Sequence, residues 1–308
     1  MEDEKVKQET MARIRDLKQR RGALLMAHNY VDGDIQDLAD FVGDSLELSR
    51  QAARMSASLV VLAGVSFMAE TAKVMCPGAM VLHPVPDAGC PMADMASAED
   101  VAAYRRRNPD TVLVAYVNTT AAVKAEVDIC CTSSNAEAIV ASIPENRRIM
   151  FLPDRNLGMN ISRKLGRAME FWPGFCPVHN RITTAMIEAV RAAHPGAPLL
   201  VHPECQPEVV AQADHVLSTG WMLKKVAELD APEIIVGTES GILHRMRLEN
   251  PGKAFIPLEP LPVCADMKRL TLASIADCLE TLGGEVVLPE DVLRRARLPI
   301  ERMLQGHL

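Results

Sequence analysis

An internal repeat of 86 to 88 residues constrains this chain of 308 residues more than any other feature. Three apolar segments that end in polar side chains, LLMAHNY (24–30), VLVAYVN (112–118) and LLVHPEC (199–205), set His28, Tyr116 and His202 at matching points. The same register aligns Asp40 with Asp128 and Asp214, and Ser45 with Ser133 and Thr219. It aligns Cys90, Cys176 and Cys264, each just after the last apolar strand of its unit. Seven residues further on stand Ser97, Thr183 and Thr271, each opening an amphipathic stretch. A hydroxyl there reads as a helix N-cap, accepting from the free N–H groups of the first turn. Several sets of matches in one register mean three related units, and a repeat of this length decides the architecture.

Within each unit, short Val/Ile/Leu-rich strands alternate with helical patterns, which predicts parallel sheets covered on both faces. Ligands of such sheets gather beyond the carboxyl ends of the strands, where the polar residues above are expected. The expected fold is α/β, with three homologous αβα units in pseudo-threefold arrangement around a central active-site cavity. The units are expected at 1–95, 96–181 and 182–272, with the tail 273–308 packing back on the first.

A net charge of −7 argues against nucleic acid or an anionic membrane as the main partner. No apolar run approaches the ~20 residues of a membrane helix. The charged start, MEDEKVKQETMARIRDLKQRRG, lacks the apolar core of a secretory signal, so a cytoplasmic protein is expected. In that setting eight cysteines without a CxxC pair predict neither a disulfide framework nor a zinc ribbon.

Cys90, Cys176 and Cys264 sit in loop contexts (DAGCPM, PGFCPVH, LPVCAD), which favours a shared three-thiolate site over three core fillings. Such a site suits zinc with one open position, or a 4Fe–4S cluster whose fourth iron lacks a protein ligand. Spacing alone does not choose. Cys76, Cys130, Cys131, Cys205 and Cys278 fall outside the register and read as core or wall residues. Ser45, Ser133 and Thr219 read equally as N-caps or as an anion site built from three helix N-termini. His28, Tyr30, Tyr116, Asn118, His202 and Glu204 gather acids and bases of differing strength at strand ends, as proton transfer requires. His179 reads as a pocket residue rather than a base for Cys176, because Cys90 and Cys264 have no equivalent histidine.

These residues also carry a resemblance. AHNY (27–30), ADFVGDSLELSRQAA (39–53), YVNT (116–119), TSSNA (132–136), PDRNLG (153–158), PGFCPVH (173–179), HPEC (202–205), GTESGILHR (237–245) and CADMK (264–268) resemble the quinolinate synthase family over nearly the whole chain. The resemblance implies three pseudo-equivalent domains around one site and the condensation of iminoaspartate with dihydroxyacetone phosphate in de novo NAD biosynthesis. It implies a 4Fe–4S cluster on Cys90, Cys176 and Cys264, the open iron acting as a Lewis acid, and a functional link to L-aspartate oxidase. By the same resemblance, Ser45, Asn118, Ser133 and Thr219 hold phosphate and carboxylates, while His28, His179 and His202 line the pocket. Tyr30 and Glu204 become the proton-transfer pair, with His202 and Tyr116 beside them and Tyr116 near the entrance. Val31 stands where relatives often carry glutamine. Leu261, Pro262 and Val263 stand where some carry extra cysteines, so no regulatory disulfide is expected there.

Overall fold

The computed structural model describes residues 2–55 and 57–308. Its frame is three four-stranded sheets of one topology, in every pair parallel. The first holds β1 (Ala23–His28), β2 (Phe41–Gly43), β3 (Leu59–Ala63) and β4 (Met80–Leu82) in the order β2-β1-β3-β4. The second holds β5 (Val112–Tyr116), β6 (Ile129–Cys131), β7 (Ile149–Leu152) and β8 (Glu170–Phe171) in the equivalent order. β9 (Leu199–Val201), β10 (His215–Val216), β11 (Glu233–Gly237) and β12 (Ala254–Pro257) repeat it in the third. Helices flank each sheet, so the fold is the α/β arrangement of three αβα units that the repeat implies. Central strands such as LVVLA and VLVAY are buried along their whole length, the signature of sheets covered on both faces.

The aspartates of the repeat explain how each unit starts its sheet. Asp40, Asp128 and Asp214 accept from the backbone N–H groups of Leu25, Leu113 and Leu199 at 2.7, 2.8 and 2.7 Å. Their own N–H groups donate back to the carbonyls of the same three leucines. Each aspartate thus pairs both polar groups of a central-strand residue just before the edge strand begins, where the ladder would otherwise leave them open. A cation stands behind each: Lys18 at 2.9 Å, Arg105 at 2.9 Å and Arg191 at 2.8 Å.

Ser97, Thr183 and Thr271 cap the helices Ala98–Arg107, Thr184–Ala193 and Leu272–Thr281, as the sequence predicts. The C-terminal segment then threads between elements. Leu272–Thr281 packs on the first helix, Glu2–Arg21, and on β3. Gly284, at φ +79°, passes so close to β4 that an added Cβ would meet the His83 carbonyl at 2.2 Å. The last helix, Glu290–Gln305, buries Ala296, Ile300 and Met303 against the helix Ser66–Met75 of the first unit and β6 of the second. Among the described residues no helix is long and apolar enough to cross a membrane.

Replacing Asp128 by Ala leaves the Leu113 N–H without its acceptor, and we expect a loss of about 1–3 kcal/mol in urea denaturation. The variants Asp40→Ala and Asp214→Ala lose similar amounts, whereas Arg105→Met, which removes a partly exposed ion pair and a bond to the Glu126 carbonyl that water can replace, costs less than the aspartate variant. Equal losses from the aspartate and the arginine would show that the ion pair, not the backbone clamp, carries the effect.

Candidate functional site

The carboxyl ends of the central strands face one cavity of about 240 Å³. His28 closes β1, Tyr116 closes β5, and His202 follows β9. The backbone N–H of Tyr30 donates to His28 Nδ1 at 3.2 Å, and that of Glu204 donates to His202 Nδ1 at 3.3 Å. An Nδ1 that accepts cannot carry the proton, so each neutral ring presents Nε2–H as a donor. Burial lowers the pKa of His28 from 6.5 to about 4 and that of His202 to about 3, keeping both rings neutral at ordinary pH.

Cys90, Cys176 and Cys264 each head one helical turn, their carbonyls accepting from the N–H groups of Asp94, Asn180 and Lys268, each four residues on. The turn fixes the loop thiol at the cavity wall, and all three cysteines line it, half-buried. Burial pushes the Cys90 thiol up to about 12, and burial raises those of Cys176 and Cys264 as well. A metal centre taking these sulphurs must therefore displace their protons. Cys130, Cys131, Cys205 and Cys278 are buried, and none of these four lines the cavity.

A hydrogen-bonded chain joins side chains from all three units. Tyr30 Oη meets Thr238 Oγ1 at 2.6 Å, which meets His179 Nε2 at 2.8 Å. His179 Nδ1 lies 2.8 Å from Glu204 Oε2, and the Tyr116 hydroxyl donates to Glu204 Oε1. The His179 and His202 rings stack with centroids 4.5 Å apart. Burial works against the Glu204 carboxylate, yet His202, His179 and the Tyr116 hydroxyl outweigh it and hold the group below the ordinary carboxylate range. Burial and the Glu204 charge raise both tyrosines well above their usual pKa, so both keep their protons. An ionised Glu204 only accepts, so His179 Nδ1 donates to it, while Nε2 meets the Thr238 hydroxyl at the other end of the ring.

The hydroxyl row falls differently from the capping reading. The caps stand one residue earlier, at Asp44 and Ser218, which leaves Ser45 and Thr219 as the first residues of the helices Ser45–Arg54 and Thr219–Glu228. Ser133 lies in the turn before the helix Ala136–Ser142. All three line the cavity beside Asn118, whose buried Oδ1 has no partner among the described residues. An acceptor left open in a cavity wall calls for a donor from whatever fills the cavity.

Thr238, which bonds Tyr30 and His179, and Glu239, which lines the cavity, are residues of the site that the repeat passes over. Strand pairing sets Ala63, Leu152 and Gly237 beside Ala27, Ala115 and Val201. The counterparts of Thr238 are thus Gly64 and Pro153, and those of Glu239 are Val65 and Asp154. Thr238 has no polar counterpart and Glu239 has only Asp154, so the main signal left is their place at a strand's carboxyl end. Glu239 is fully buried and accepts from the Cys264 N–H at 3.2 Å and the Gly241 N–H at 2.6 Å, bracing the third cysteine turn. Cys176, His179 and Glu204 form the compact donor group of the cavity, their ligand atoms all within 4.8 Å of one another.

A family model described as quinolinate synthetase A protein matches residues 12–305. The quinolinate synthase of Dehalococcoides mccartyi strain CBDB1 is 47% identical over 293 residues, 95% of this chain and 97% of the relative. That of Methanoregula boonei is 47% identical over 304 residues, 99% of each chain. The Aquifex aeolicus enzyme is 44% identical over 303 residues, 96% of this chain and 94% of its own. With a family match across nearly its whole length and relatives this similar end to end, the chain belongs to the quinolinate synthase family.

Proposed function

We propose that this chain condenses iminoaspartate with dihydroxyacetone phosphate to give quinolinate, phosphate and two waters. The observation that carries this reading is one cysteine from each unit at the wall of a single cavity that also holds an acid–base chain. The donor set fits a 4Fe–4S cluster. Three thiolates on one tetrahedral zinc would crowd to about 3.8 Å apart, whereas Cys90 and Cys264 stand outside the compact group that a single ion would use. When bound, the cluster supplies an open iron, a Lewis acid for a substrate nitrogen or hydroxyl.

The protein's own groups divide the remaining work. His28 and His202 offer neutral N–H donors to developing negative charge on the substrates. Ser45, Asn118, Ser133 and Thr219 receive phosphate and carboxylates, two of the hydroxyls at helix N-termini where N–H groups and dipole favour anions. Tyr30 and Glu204 exchange protons without touching. Tyr30 donates to Thr238, Thr238 to His179 Nε2, and His179 Nδ1 to Glu204, so when Tyr30 Oη takes a proton from substrate and passes its own along the chain, one proton is delivered to the carboxylate. Tyr116 holds the other carboxylate oxygen and orients it. Iminoaspartate is the product of an aspartate-oxidising enzyme, and L-aspartate oxidase is the partner this reading implies.

Anaerobically prepared protein is expected to be brown, with iron and acid-labile sulfide in equal amounts, and to make quinolinate. Cys90→Ala, Cys176→Ala or Cys264→Ala loses both colour and turnover. Tightly bound zinc without sulfide in an active preparation would refute the cluster. Thr238→Val breaks the proton chain while keeping the side chain's shape, so kcat falls about 10²-fold with the cluster intact, and Thr238→Ser restores most of it. Turnover unchanged in Thr238→Val removes the relay.

The two buried histidines also predict acid sensitivity. Their folded pKa values, about 4 and about 3, lie below the ordinary 6.5. Between these limits the unfolded chain binds protons that the folded chain does not, so stability falls as pH drops below about 6.5. The denaturation midpoint of the metal-free protein should fall from pH 6.5 towards 4, and the doubly substituted His28→Asn/His202→Gln protein should show a flatter profile. Parallel profiles would place the acid sensitivity elsewhere.

A further inference from the structure

Asp44, Ser134 and Ser218 bond to one another across the three units, the two serines behind the cavity hydroxyls and Asp44 at the cavity wall. Ser134 Oγ donates to Asp44 Oδ2 at 2.5 Å and lies 2.7 Å from Ser218 Oγ. A carboxylate only accepts, so the single Ser134 proton goes to Asp44 and the proton between the serines belongs to Ser218. Ser218 Oγ accepts in turn from the Trp221 N–H, and Asp44 Oδ1 accepts from the N–H groups of Leu46 and Glu47. One directed line therefore runs from the N-terminus of the helix Thr219–Glu228, through a second-unit turn, to the N-terminus of the helix Ser45–Arg54. The two helix ends meet so closely that a Cβ on Gly220 would stand 2.9 Å from Asp44 Oδ2.

Each member of this line is the chain neighbour of a hydroxyl residue that lines the cavity: Asp44 of Ser45, Ser134 of Ser133, Ser218 of Thr219. Ser134 and Ser218 do not themselves line it. We propose that Ser134 and Ser218 are positioning residues: with Asp44 they form a clasp that sets the spacing of Ser45, Ser133 and Thr219 and so the fit of the phosphate-bearing substrate. This rests on reading the cavity as the site of that substrate. The clasp acts on anion binding and not on the proton chain, which lies among Tyr30, Thr238, His179 and Glu204.

The test is the anaerobic quinolinate assay on cluster-loaded Ser134→Ala, Ser218→Ala and Ser218→Thr proteins, with binding of radiolabelled inorganic phosphate measured on the same samples. The alanine variants are expected to raise KM for dihydroxyacetone phosphate about tenfold with kcat within about twofold, since they loosen binding and leave the chemistry alone. Phosphate binding weakens in step, and Ser218→Thr, which keeps the hydroxyl, returns KM to near the wild-type value. KM and phosphate affinity unchanged in both alanine variants overturn the clasp, as does a loss of kcat and thermal midpoint at constant KM, the mark of a merely structural role. If wild-type protein makes no quinolinate yet binds phosphate, and the alanine variants bind it more weakly, the reaction assigned above fails while the clasp stands.

Discussion

Parallel pairing is the constraint on which the site depends. A sheet whose strands all run one way puts every carboxyl end on one edge, and three such sheets here turn those edges towards one space. The backbone groups at these edges have no further strand to pair with, so side chains, helix N-termini and ligands complete them. His28 and His202 show the coupling directly. Each accepts, on Nδ1, an N–H from the turn beyond its strand, and this fixes which ring nitrogen faces the cavity. The fold thereby decides a protonation state before any substrate arrives.

Features written three times were legible in the sequence because a repeated backbone needs the same local chemistry three times. The aspartate that closes each strand start, the hydroxyl that caps each following helix, and the cysteine heading each turn all fall at matching numbers. Features used once were hidden. Thr238 joins Tyr30 to His179, but glycine and proline occupy its counterparts, so only the folded chain shows the link. The capping of Ser45 and Thr219 was misplaced by one residue for a related reason. Asp-Ser and Ser-Thr pairs each offer two capping groups, and backbone dihedrals choose between them. Directions of side chains between units are not encoded in any local pattern, which is why the bonds among Asp44, Ser134 and Ser218 have no sequence signature.

The electrostatics of the cavity follow from burial more than from formal charge. Three thiols, two histidines and two tyrosines are all driven towards their neutral forms there. Glu204 is the exception, because several donors converge on it. The neutral donors of the wall suit substrates that bring their own negative charge, since each such contact is a hydrogen bond to an anion.

The apolar packing is divided unevenly among the units. The first two sheets and the final helix share one continuous hydrophobic cluster, while β9 and β11 of the third sheet bury their faces in two clusters of their own. Many of the bonds that tie the third unit to the others around the cavity are polar: Tyr30 to Thr238, Asn29 to Thr219, Tyr116 to Glu204, Asn156 to the Glu204 carbonyl. Hydrogen bonds of this kind exchange for water at small net cost, whereas opening a shared core exposes oily surface. The molecule therefore has a polar seam and an apolar one. Parting the third unit from the other two exposes less oily surface than parting the first two from each other.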